Sequence, residues 1–274
     1  MDQQEMTVTQ FGSSAEYYLS SAVHAAGADL ERLAALVSDN SGLRALDLGC
    51  GAGHAAYALA RGGAHRVVAY DPSPEMLTVV AREASSRGHE AIETVVGSAE
   101  RLPFEAACFD LVVTRYSAHH WADVPRALAE CARVLATGGR LIVIDVVAPE
   151  TPLLDTCLQV VEFLRDASHV RDYRISEWQD MQRAAGFTQS SVNRWKTSID
   201  FSTWIARIGT PEARIAALRC VFPDLPREAR EYYEISAGFS FKFDTAWIES
   251  VKSAAAMIRR RQPAKNAARG RNLG

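Results

Sequence analysis

A glycine-rich turn near the start of the chain is the first stretch whose residue types and spacing could do chemistry. Residues 44–60 read RALDLGCGAGHAAYALA, so that glycines at 49, 51 and 53 separate an apolar run from a helix-like stretch. Glycine lets a backbone approach a ligand closely, and such a turn between a strand and a helix commonly cradles one. Asp71 follows at the end of the next apolar run, where a carboxylate can accept hydrogen bonds from both hydroxyls of a ribose. The spacing therefore predicts a nucleoside ligand.

The glycine spacing alone leaves two nucleoside cofactors open. Residues 51–56, GAGHAA, match the loose dinucleotide pattern G-x-G-x-x-A, which keeps NAD as a candidate. Asp47 lies two residues before the first glycine of the turn. A carboxylate there would repel a pyrophosphate and attract a sulfonium or an α-ammonium group. The charge of Asp47 therefore favours a cofactor that carries a positive charge.

A regular alternation of predicted strands and helices must position these residues. Apolar runs of strand length alternate with helical patterns of apolar residues. The predicted strands cover 43–49, 65–71, 91–99, 109–116 and 140–147, and the predicted helices cover 54–62, 74–88 and 124–139. This alternation predicts parallel strands joined by right-handed crossovers. The nearly continuous apolar character of the strands indicates that helices cover both faces of the sheet.

The alternation stops after Pro149. Helices are predicted over 152–166 and 176–186, then a strand over 190–201, short helices over 201–235 and a last strand over 238–252. The predicted fold class is α/β: a Rossmann-like, doubly wound, mostly parallel sheet of seven strands, with a helical cap inserted late in the chain. The predicted segments are an N-terminal helical lid (1–42), the core (43–200), the cap (201–235), the last strand of the core (236–258) and a disordered basic tail (259–274).

Five motifs occur in an order that resembles a known family. They are LDLGCGAG, YDPSPEML, GSAERLPF, FDLVVTRYSAHHW and ARVLATGGRLIVID. The chain resembles the class I S-adenosylmethionine-dependent methyltransferases, and most of all the small-molecule branch that includes the ubiquinone and menaquinone biosynthesis methyltransferases. The resemblance covers about residues 43–148. The N-terminal signature of the quinone-pathway members is not found here, which argues against a quinone as the methyl acceptor.

The resemblance implies which residues bind S-adenosylmethionine and its product, S-adenosylhomocysteine. Asp47 and the three glycines would surround the methionine part, Asp71 would take the ribose hydroxyls, and Met76 would flank the adenine unless it only fills the helix core. The backbone near Arg115 would contact the methionine ammonium group. Family members often carry aspartate where this chain has Ser98, whose hydroxyl is a weaker acceptor for the adenine amino group. The implied cofactor-binding residues are Asp47, Gly49, Gly51, Gly53, Asp71, Pro72, Met76, Ser98, Ala99, Glu100 and Arg115.

Two residues after the fourth strand are candidates for contact with the methyl acceptor. Methyl transfer from a sulfonium mainly requires alignment of the reacting atoms, and a base is needed only where the acceptor must lose a proton. His119 is the candidate base, since histidine titrates near neutral pH, and Tyr116 could donate a hydrogen bond to the acceptor. The alternatives are a histidine that only packs before the next helix and a tyrosine that only forms pocket wall.

Two further segments each allow two interpretations. Residues 11–24 resemble the mobile lid of this family, which excludes water from the site; the alternative is an amphipathic helix packed on the sheet. The lid residues would be Phe11, Tyr17, Tyr18 and His24. The segment SHVRDYR, 168–174, is either an acceptor-facing loop or a solvated connection.

The composition argues against several classes of protein. The chain has 274 residues, 48% of them hydrophobic and 23% charged, which is ordinary for a globular domain. No apolar run approaches the ~18 residues of a membrane span, and the N-terminus lacks a signal-peptide pattern. The five cysteines show no Cys-x-x-Cys spacing, which predicts neither a zinc site nor a disulfide framework. We expect a cytoplasmic enzyme with a small-molecule acceptor, no metal and no membrane partner.

The basic C-terminal tail keeps one other function open. Residues 259–274 contain six arginines and lysines and no acidic residue, a composition that suits RNA. However, the net charge of the whole chain is −3 and the tail has no interleaved aromatic residues, so nucleic acid is the less favoured partner. An RNA-modifying methyltransferase and a non-catalytic protein that binds S-adenosylmethionine remain the alternatives to a small-molecule methyltransferase.

Overall fold

The computed structural model describes residues 1–12, 19, 27–38, 40 and 42–254. The seven strands are β1 (Arg44–Leu48), β2 (Arg66–Asp71), β3 (Ile92–Val96), β4 (Phe109–Arg115), β5 (Leu135–Val146), β6 (Phe187–Ile199) and β7 (Phe241–Lys252). The helices of these residues, numbered in order, are α1 (Gln3–Gly12), α2 (Ala28–Ser38), α3 (His54–Arg61), α4 (Pro74–Ser86), α5 (Val124–Val134), α6 (Pro152–Arg165), α7 (Ile175–Ala184), α8 (Phe201–Arg207), α9 (Glu212–Asp224) and α10 (Arg227–Tyr232). None of these helices is long and apolar enough to cross a membrane.

The strands form one sheet in the order β3-β2-β1-β4-β5-β7-β6. The first five pair in parallel, and β7 lies antiparallel between β5 and β6. The chain runs outward from β1 to β3 on one side and restarts at β4 on the other. Strand order therefore reverses between β1 and β4, and ligands bind beyond the carboxyl ends of strands at such a point. The predicted α/β class and the mostly parallel sheet of seven strands are confirmed.

Local sequence signals fix where the crossover helices start. Ser73 accepts a hydrogen bond from the backbone N–H of Met76, and a proline follows at the first turn of α4. Asp123 caps α5 in the same way through the N–H of Arg126. A side-chain cap followed by proline is a strong helix start. These caps place both helix N-termini next to the carboxyl edge of the sheet.

The core lies on both faces of the sheet, with a separate cluster under the cap. One cluster packs α5 and α7 on one face, and another packs α2 and α3 on the other. The three cap helices α8, α9 and α10 form a third cluster with α6 and the ends of β6 and β7. The short helices predicted over 201–235 are thus present, between the last two strands.

Two predicted boundaries are wrong. The helix expected over 124–139 ends at Val134, and Leu135 already pairs with Phe109 as the first residue of β5. Gly138, with φ of 77°, therefore lies inside an irregular part of the strand rather than at a helix end. The strand expected over 190–201 begins earlier, at Phe187, where it pairs with the end of β7.

The predicted N-terminal lid, 1–42, divides into parts with different surroundings. Helix α1 has no fully buried residue, whereas Leu33 and Val37 of α2 are completely buried in the core. Of the predicted lid residues, Tyr17, Tyr18 and His24 lie outside the described residues, as does the basic tail 259–274. Whether the segment acts as a lid stays a prediction.

Candidate functional site

A cavity of about 510 Å³ opens at the carboxyl ends of β1, β2 and β4. It runs from the glycine turn and the end of β2 to the cap residues Trp204 and Arg207. Helix α1 forms part of its wall: the side chain of Gln3 donates to the carbonyls of His120 and Ser168, and Gln10 donates to that of Ile208 at 2.6 Å. The cavity thus extends between the turn and the cap.

The glycine turn has a backbone that other residues could adopt only with strain. Gly49, Gly51 and Gly53 have φ angles of 69°, 50° and 85°, in the left-handed region that favours glycine. A Cβ on Gly49 would lie 1.8 Å from the hydroxyl of Ser117, whereas a Cβ on Gly51 would meet nothing within 4 Å. Because Gly51 also lines the cavity, the open space above it belongs to that cavity. The turn is therefore a cradle that fits a bound molecule.

Asp47 and Asp71 bring two buried carboxylates to this cradle. Asp47 accepts the N–H of Ala56 at 2.8 Å, and Asp71 accepts those of Gly51 and Ser73, each at 2.9 Å. Burial raises the pKa of Asp47 to about 7 and that of Asp71 to about 6, against the backbone hydrogen bonds, which lower them. A buried acid that is hard to ionise is stabilised by a cationic or hydrogen-bond-donating ligand. Asp47 therefore suits a positively charged group, and its role at the cofactor stays a prediction.

The remaining predicted cofactor residues line the same cavity, but their side chains have differing contacts. Pro72, Ser98, Ala99 and Glu100 all lie in its wall. Met76 does too, although it is 2% exposed and packs against Ala52 and Val79. The carboxylate of Glu100 accepts the N–H groups of Ala122 and Asp123, at 3.0 and 3.3 Å. The site therefore brings these residues together, with Glu100 already holding the next loop.

The side chain of Arg115 forms a buried ion pair with Asp29. Its Nε donates to Asp29 of α2 at 2.6 Å, and the two side chains are only 5% and 8% exposed. Sequence reasoning placed Arg115 at the cofactor through its backbone, and it does line the cavity. Its guanidinium instead fastens α2 to the end of β4.

His119 lines the cavity, and its ring is held by Asp145. Its Nδ1 lies 2.7 Å from the carboxylate of Asp145, which also accepts the N–H groups of Ala118 and Val146. Burial lowers the pKa of His119, but the charge and hydrogen bond of Asp145 outweigh it and raise the pKa to about 9. Burial and the nearby His119 lower the pKa of His120 to about 4. Of the two adjacent histidines, His119 is therefore the charged one.

Tyr116 forms the turn that leads to His119. It has a φ of 51°, unusual for a residue with a side chain, and its N–H donates to the carbonyl of Ile144. Burial raises the pKa of its hydroxyl. Hydrogen bonds of this hydroxyl to Thr197 and Thr245 partly offset the rise. Tyr116 and His119 both line the cavity, as the sequence predicted.

The sequence did not identify several residues that line the cavity around His119. Asp145 ends the fifth strand as the only charged residue of the run LIVIDVV, a signal that could have been recognised. Glu162 and Arg165 of α6 and Trp204 of the cap also line the cavity, but nothing local in the sequence distinguishes them from other helical residues. Asp172 also lines the cavity. It belongs to the segment 168–174, for which the sequence allowed either an acceptor-facing loop or a solvated connection.

One group within the described residues has the donors for a metal ion. His119, Asp145 and Asp172 each offer one ligand atom within 4.8 Å of the others. Their chain positions are far apart and none of them is a cysteine. Neither local spacing nor the pattern of cysteines could therefore reveal the group. The absence of a metal, expected from the sequence, stays a prediction.

Comparison with known proteins agrees with this geometry. A family model described as a methyltransferase domain matches residues 46–143. The chain is 44% identical over 188 residues to YafE of Escherichia coli, an uncharacterized protein, covering 69% of this chain and 91% of YafE. It is 38% identical over 127 residues to a demethylmenaquinone methyltransferase of Thermus thermophilus, which covers 45% of this chain and 57% of that one.

The similarity to one methyltransferase extends over most of both chains. YcgJ of Bacillus subtilis, described as an uncharacterized methyltransferase, is 36% identical over 228 residues, which cover 83% of this chain and 90% of YcgJ. Its crystal structure superposes with a TM-score of 0.76 at 34% identity, covering 81% of this chain and 98% of the other. The chain therefore belongs to the class I S-adenosylmethionine-dependent methyltransferases and is an enzyme of that family.

Proposed function

We propose that this enzyme transfers a methyl group from S-adenosylmethionine to a small molecule held between the sheet and the cap. The observation that carries the proposal is the single cavity that joins the glycine cradle to the residues around His119. One pocket of about 510 Å³ is in the range of a ligand site for small molecules. The acceptor atom is oxygen, nitrogen or carbon, and we place the enzyme in the cytoplasm, as the sequence predicted.

The cofactor half would be built from the glycine turn and the strand ends. S-adenosylmethionine supplies a methyl group already activated by a positive sulfur. Gly49, Gly51 and Gly53 would let the backbone approach the methionine part, and the carboxylate of Asp47 would face its positive charges. Asp71 would accept hydrogen bonds from the ribose, with the lone pairs that Gly51 and Ser73 leave open. Pro72, Met76, Ser98, Ala99 and Glu100 would surround the adenine.

The acceptor half would use Tyr116 and His119. Since the pKa of His119 is raised to about 9, its imidazole is protonated at neutral pH and can donate a hydrogen bond from the nitrogen that Asp145 does not hold. This favours a donor that orients the acceptor over the base expected from the sequence. Orientation of the reacting atoms is the main demand of methyl transfer.

The test is transfer of an isotopically labelled methyl group. The purified enzyme is incubated with labelled S-adenosylmethionine and, separately, with a small-molecule cell extract and with total RNA. The proposal predicts label in small molecules and release of S-adenosylhomocysteine. Label in RNA instead, or release of no S-adenosylhomocysteine with any extract, would contradict it.

Variants assign the role of His119 in the same assay. His119→Gln should lower turnover roughly a hundredfold, the cost of a misplaced acceptor, while S-adenosylhomocysteine still binds. His65→Gln, at an exposed surface position, is the matched control and should retain turnover. Full turnover by His119→Gln would remove this residue from the proposal.

A further inference from the structure

Two buried carboxylates in the acceptor half of the cavity make no hydrogen bond to the described part of the chain. Glu162 of α6 is 6% exposed and Asp172 is 1% exposed, and both line the cavity. Glu162 Oε1 and Asp172 Oδ2 are completely buried and have no hydrogen-bond partner. Two histidines lie near the carboxylate of Asp172: Nε2 of His169 is 4.0 Å from it, and a ring nitrogen of His119 lies within 4.8 Å. Neither carboxylate is therefore satisfied by the fold.

Such a pair is costly to the folded protein. Buried charges are normally paired or bound to a ligand. Replacement by neutral residues of the same shape would remove this cost, so a structural role does not explain the pair. A binding role does, because sites for ligands are often kept at the expense of stability.

The surrounding groups leave this wall with too little positive charge. Asp145 is matched by His119 at 2.7 Å, and Asp166 accepts hydrogen bonds from Ser168. Burial, first of all, lowers the pKa of His120 and His169, which keeps both rings neutral.

Arg165 is the nearest remaining cation of α6. Its Nε donates to the carbonyl of Trp204, and its Nη2 is buried without a hydrogen-bond partner in the described part of the chain.

Besides Arg165, the charges of His119 and Arg207 act on Glu162, and those of His119 and Arg171 act on Asp172. His119 is already paired with Asp145, and Arg171 with Asp155 and Glu177. Arg165 and Arg207 are thus left to offset Glu162, Asp166 and Asp172, and one further positive charge would complete the wall.

An apolar wall faces the same space. Trp204, Phe243 and Ile199 line the same cavity and belong to one apolar cluster. Aromatic and aliphatic side chains of this kind bury the apolar body of a ligand, while a few placed polar groups fix its orientation.

We infer that the methyl acceptor carries a protonated amine, which Glu162 and Asp172 bind while Trp204, Phe243 and Ile199 hold its apolar body. The inference rests on the proposed methyl transfer and adds the chemical class of the acceptor. In this assignment the amine fixes the position of the acceptor, and the methylated atom can be the amine nitrogen or another atom.

The first test needs no acceptor. Glu162→Gln and Asp172→Asn keep the shape of each side chain and remove its charge, so both should raise the melting temperature of the free enzyme by roughly 2–4 °C. Asp155→Asn is the control, since Asp155 is 9% exposed and paired with Arg171 at 2.8 Å, and it should lower the melting temperature. A fall with the first two variants, as in the control, would show that the carboxylates are structural and overturn the inference.

The second test compares three probes that differ only in their polar end. Fluorine NMR follows para-fluorobenzylamine, para-fluorobenzyl alcohol and para-fluorobenzoate with the enzyme saturated by S-adenosylhomocysteine. The amine should bind roughly tenfold more tightly than the alcohol, and the double variant Glu162→Gln with Asp172→Asn should abolish this preference. An amine bound no more tightly than the alcohol or the acid, or a preference that survives in the double variant, would overturn the inference.

Two controls separate this inference from other outcomes. If S-adenosylhomocysteine itself does not bind, the proposed function fails; if it binds and the amine preference is absent, only the present inference fails. Magnesium, manganese and zinc ions are also added one at a time. A rise in melting temperature that Asp172→Asn abolishes would identify a metal site and overturn the assignment to an amine.

Discussion

Asp47 and Asp71 show how individual residues give the site its charge. Each lies at the carboxyl end of a strand, is almost completely buried, and within the described chain accepts hydrogen bonds only from backbone N–H groups. Burial raises both pKa values, to about 7 and about 6. A carboxyl group with a raised pKa destabilises the fold as the pH rises from about 4 towards that pKa. A bound cation offsets the cost, which links cofactor affinity to pH.

The affinity for S-adenosylmethionine should therefore rise between about pH 6 and about pH 8. Below pH 7 Asp47 holds a proton that the cation must displace, and each pH unit below the pKa costs roughly tenfold in affinity. Calorimetric titrations at several pH values measure the dependence. Asp47→Asn is the control, and it should bind more weakly and with a flatter pH profile. A wild-type affinity independent of pH would argue against a cation at Asp47.

The glycine turn allows a matched pair of substitutions. Gly49→Ala should unfold the turn, because its Cβ would overlap the hydroxyl of Ser117 and its φ is left-handed as well. Gly51→Ala meets only the conformational cost, about 1–2 kcal/mol, but places a methyl group in the cavity. Thermal unfolding and cofactor titration should therefore show that Gly51→Ala mainly loses binding and Gly49→Ala mainly loses stability. The reverse order would place the ligand elsewhere.

At the scale of elements, helices from outside the Rossmann-like core complete the site. Helix α1 covers the cavity through Gln3, Gln10 and the contact of Phe11 with His120, whose ring centroids are 4.8 Å apart. Helix α2 instead belongs to the core and is fastened to β4 by Asp29 and Arg115. The two helices should respond differently to mutation.

Removal of residues 1–12 should release the cofactor faster without much loss of stability. Helix α1 contributes no fully buried residue, so little apolar area is lost, while its wall of the cavity disappears. Stopped-flow displacement of S-adenosylhomocysteine should show dissociation roughly tenfold faster, or more. Thr9→Ala, on the exposed side of α1, should dissociate at the wild-type rate. An unchanged rate in the truncated protein would contradict the covering role.

Loss of Asp29 should destabilise the fold strongly. Asp29→Ala leaves the buried guanidinium of Arg115 without its carboxylate, and breaking a buried pair in this way costs about 3–5 kcal/mol. Denaturant unfolding measures the change. Glu31→Ala removes the exposed pair with Arg61 from the same helix and should cost less than about 1 kcal/mol. Similar values for the two variants would mean that the buried pair does not fasten α2.

At the scale of the whole molecule, the sequence predicts the side of the cavity at the glycine turn far better than the side around His119. The glycine turn, Asp47 and Asp71 lie close together in the chain or on neighbouring strands, so alternation of strands and helices was enough to place them. The first five strands follow from the same alternation, whereas the cap helices were predicted from short helical stretches punctuated by prolines. Strand β5 begins earlier than predicted because pairing of Leu135 with Phe109 extends the strand past Gly138, which is a residue type typical of a helix end.

The acceptor half depends on contacts between distant parts of the chain. His119 meets Asp145 from the next strand, and Glu162 and Asp172 reach the same cavity from α6 and the loop after it. No local pattern distinguishes a helical glutamate that faces a cavity from one that faces solvent. These residues could be found only once packing had been established.

Titration calorimetry of the intact enzyme with S-adenosylmethionine, S-adenosylhomocysteine and NAD shows whether the glycine turn binds S-adenosylmethionine. We expect one molecule of either sulfur compound per chain, bound with a Kd on the order of 1 μM, and no binding of NAD. Asp71→Asn should weaken both sulfur compounds, since the amide is a poorer acceptor for the ribose hydroxyls than the carboxylate. Binding of NAD, or an absence of binding by S-adenosylmethionine, would contradict the assignment of the glycine turn as its site.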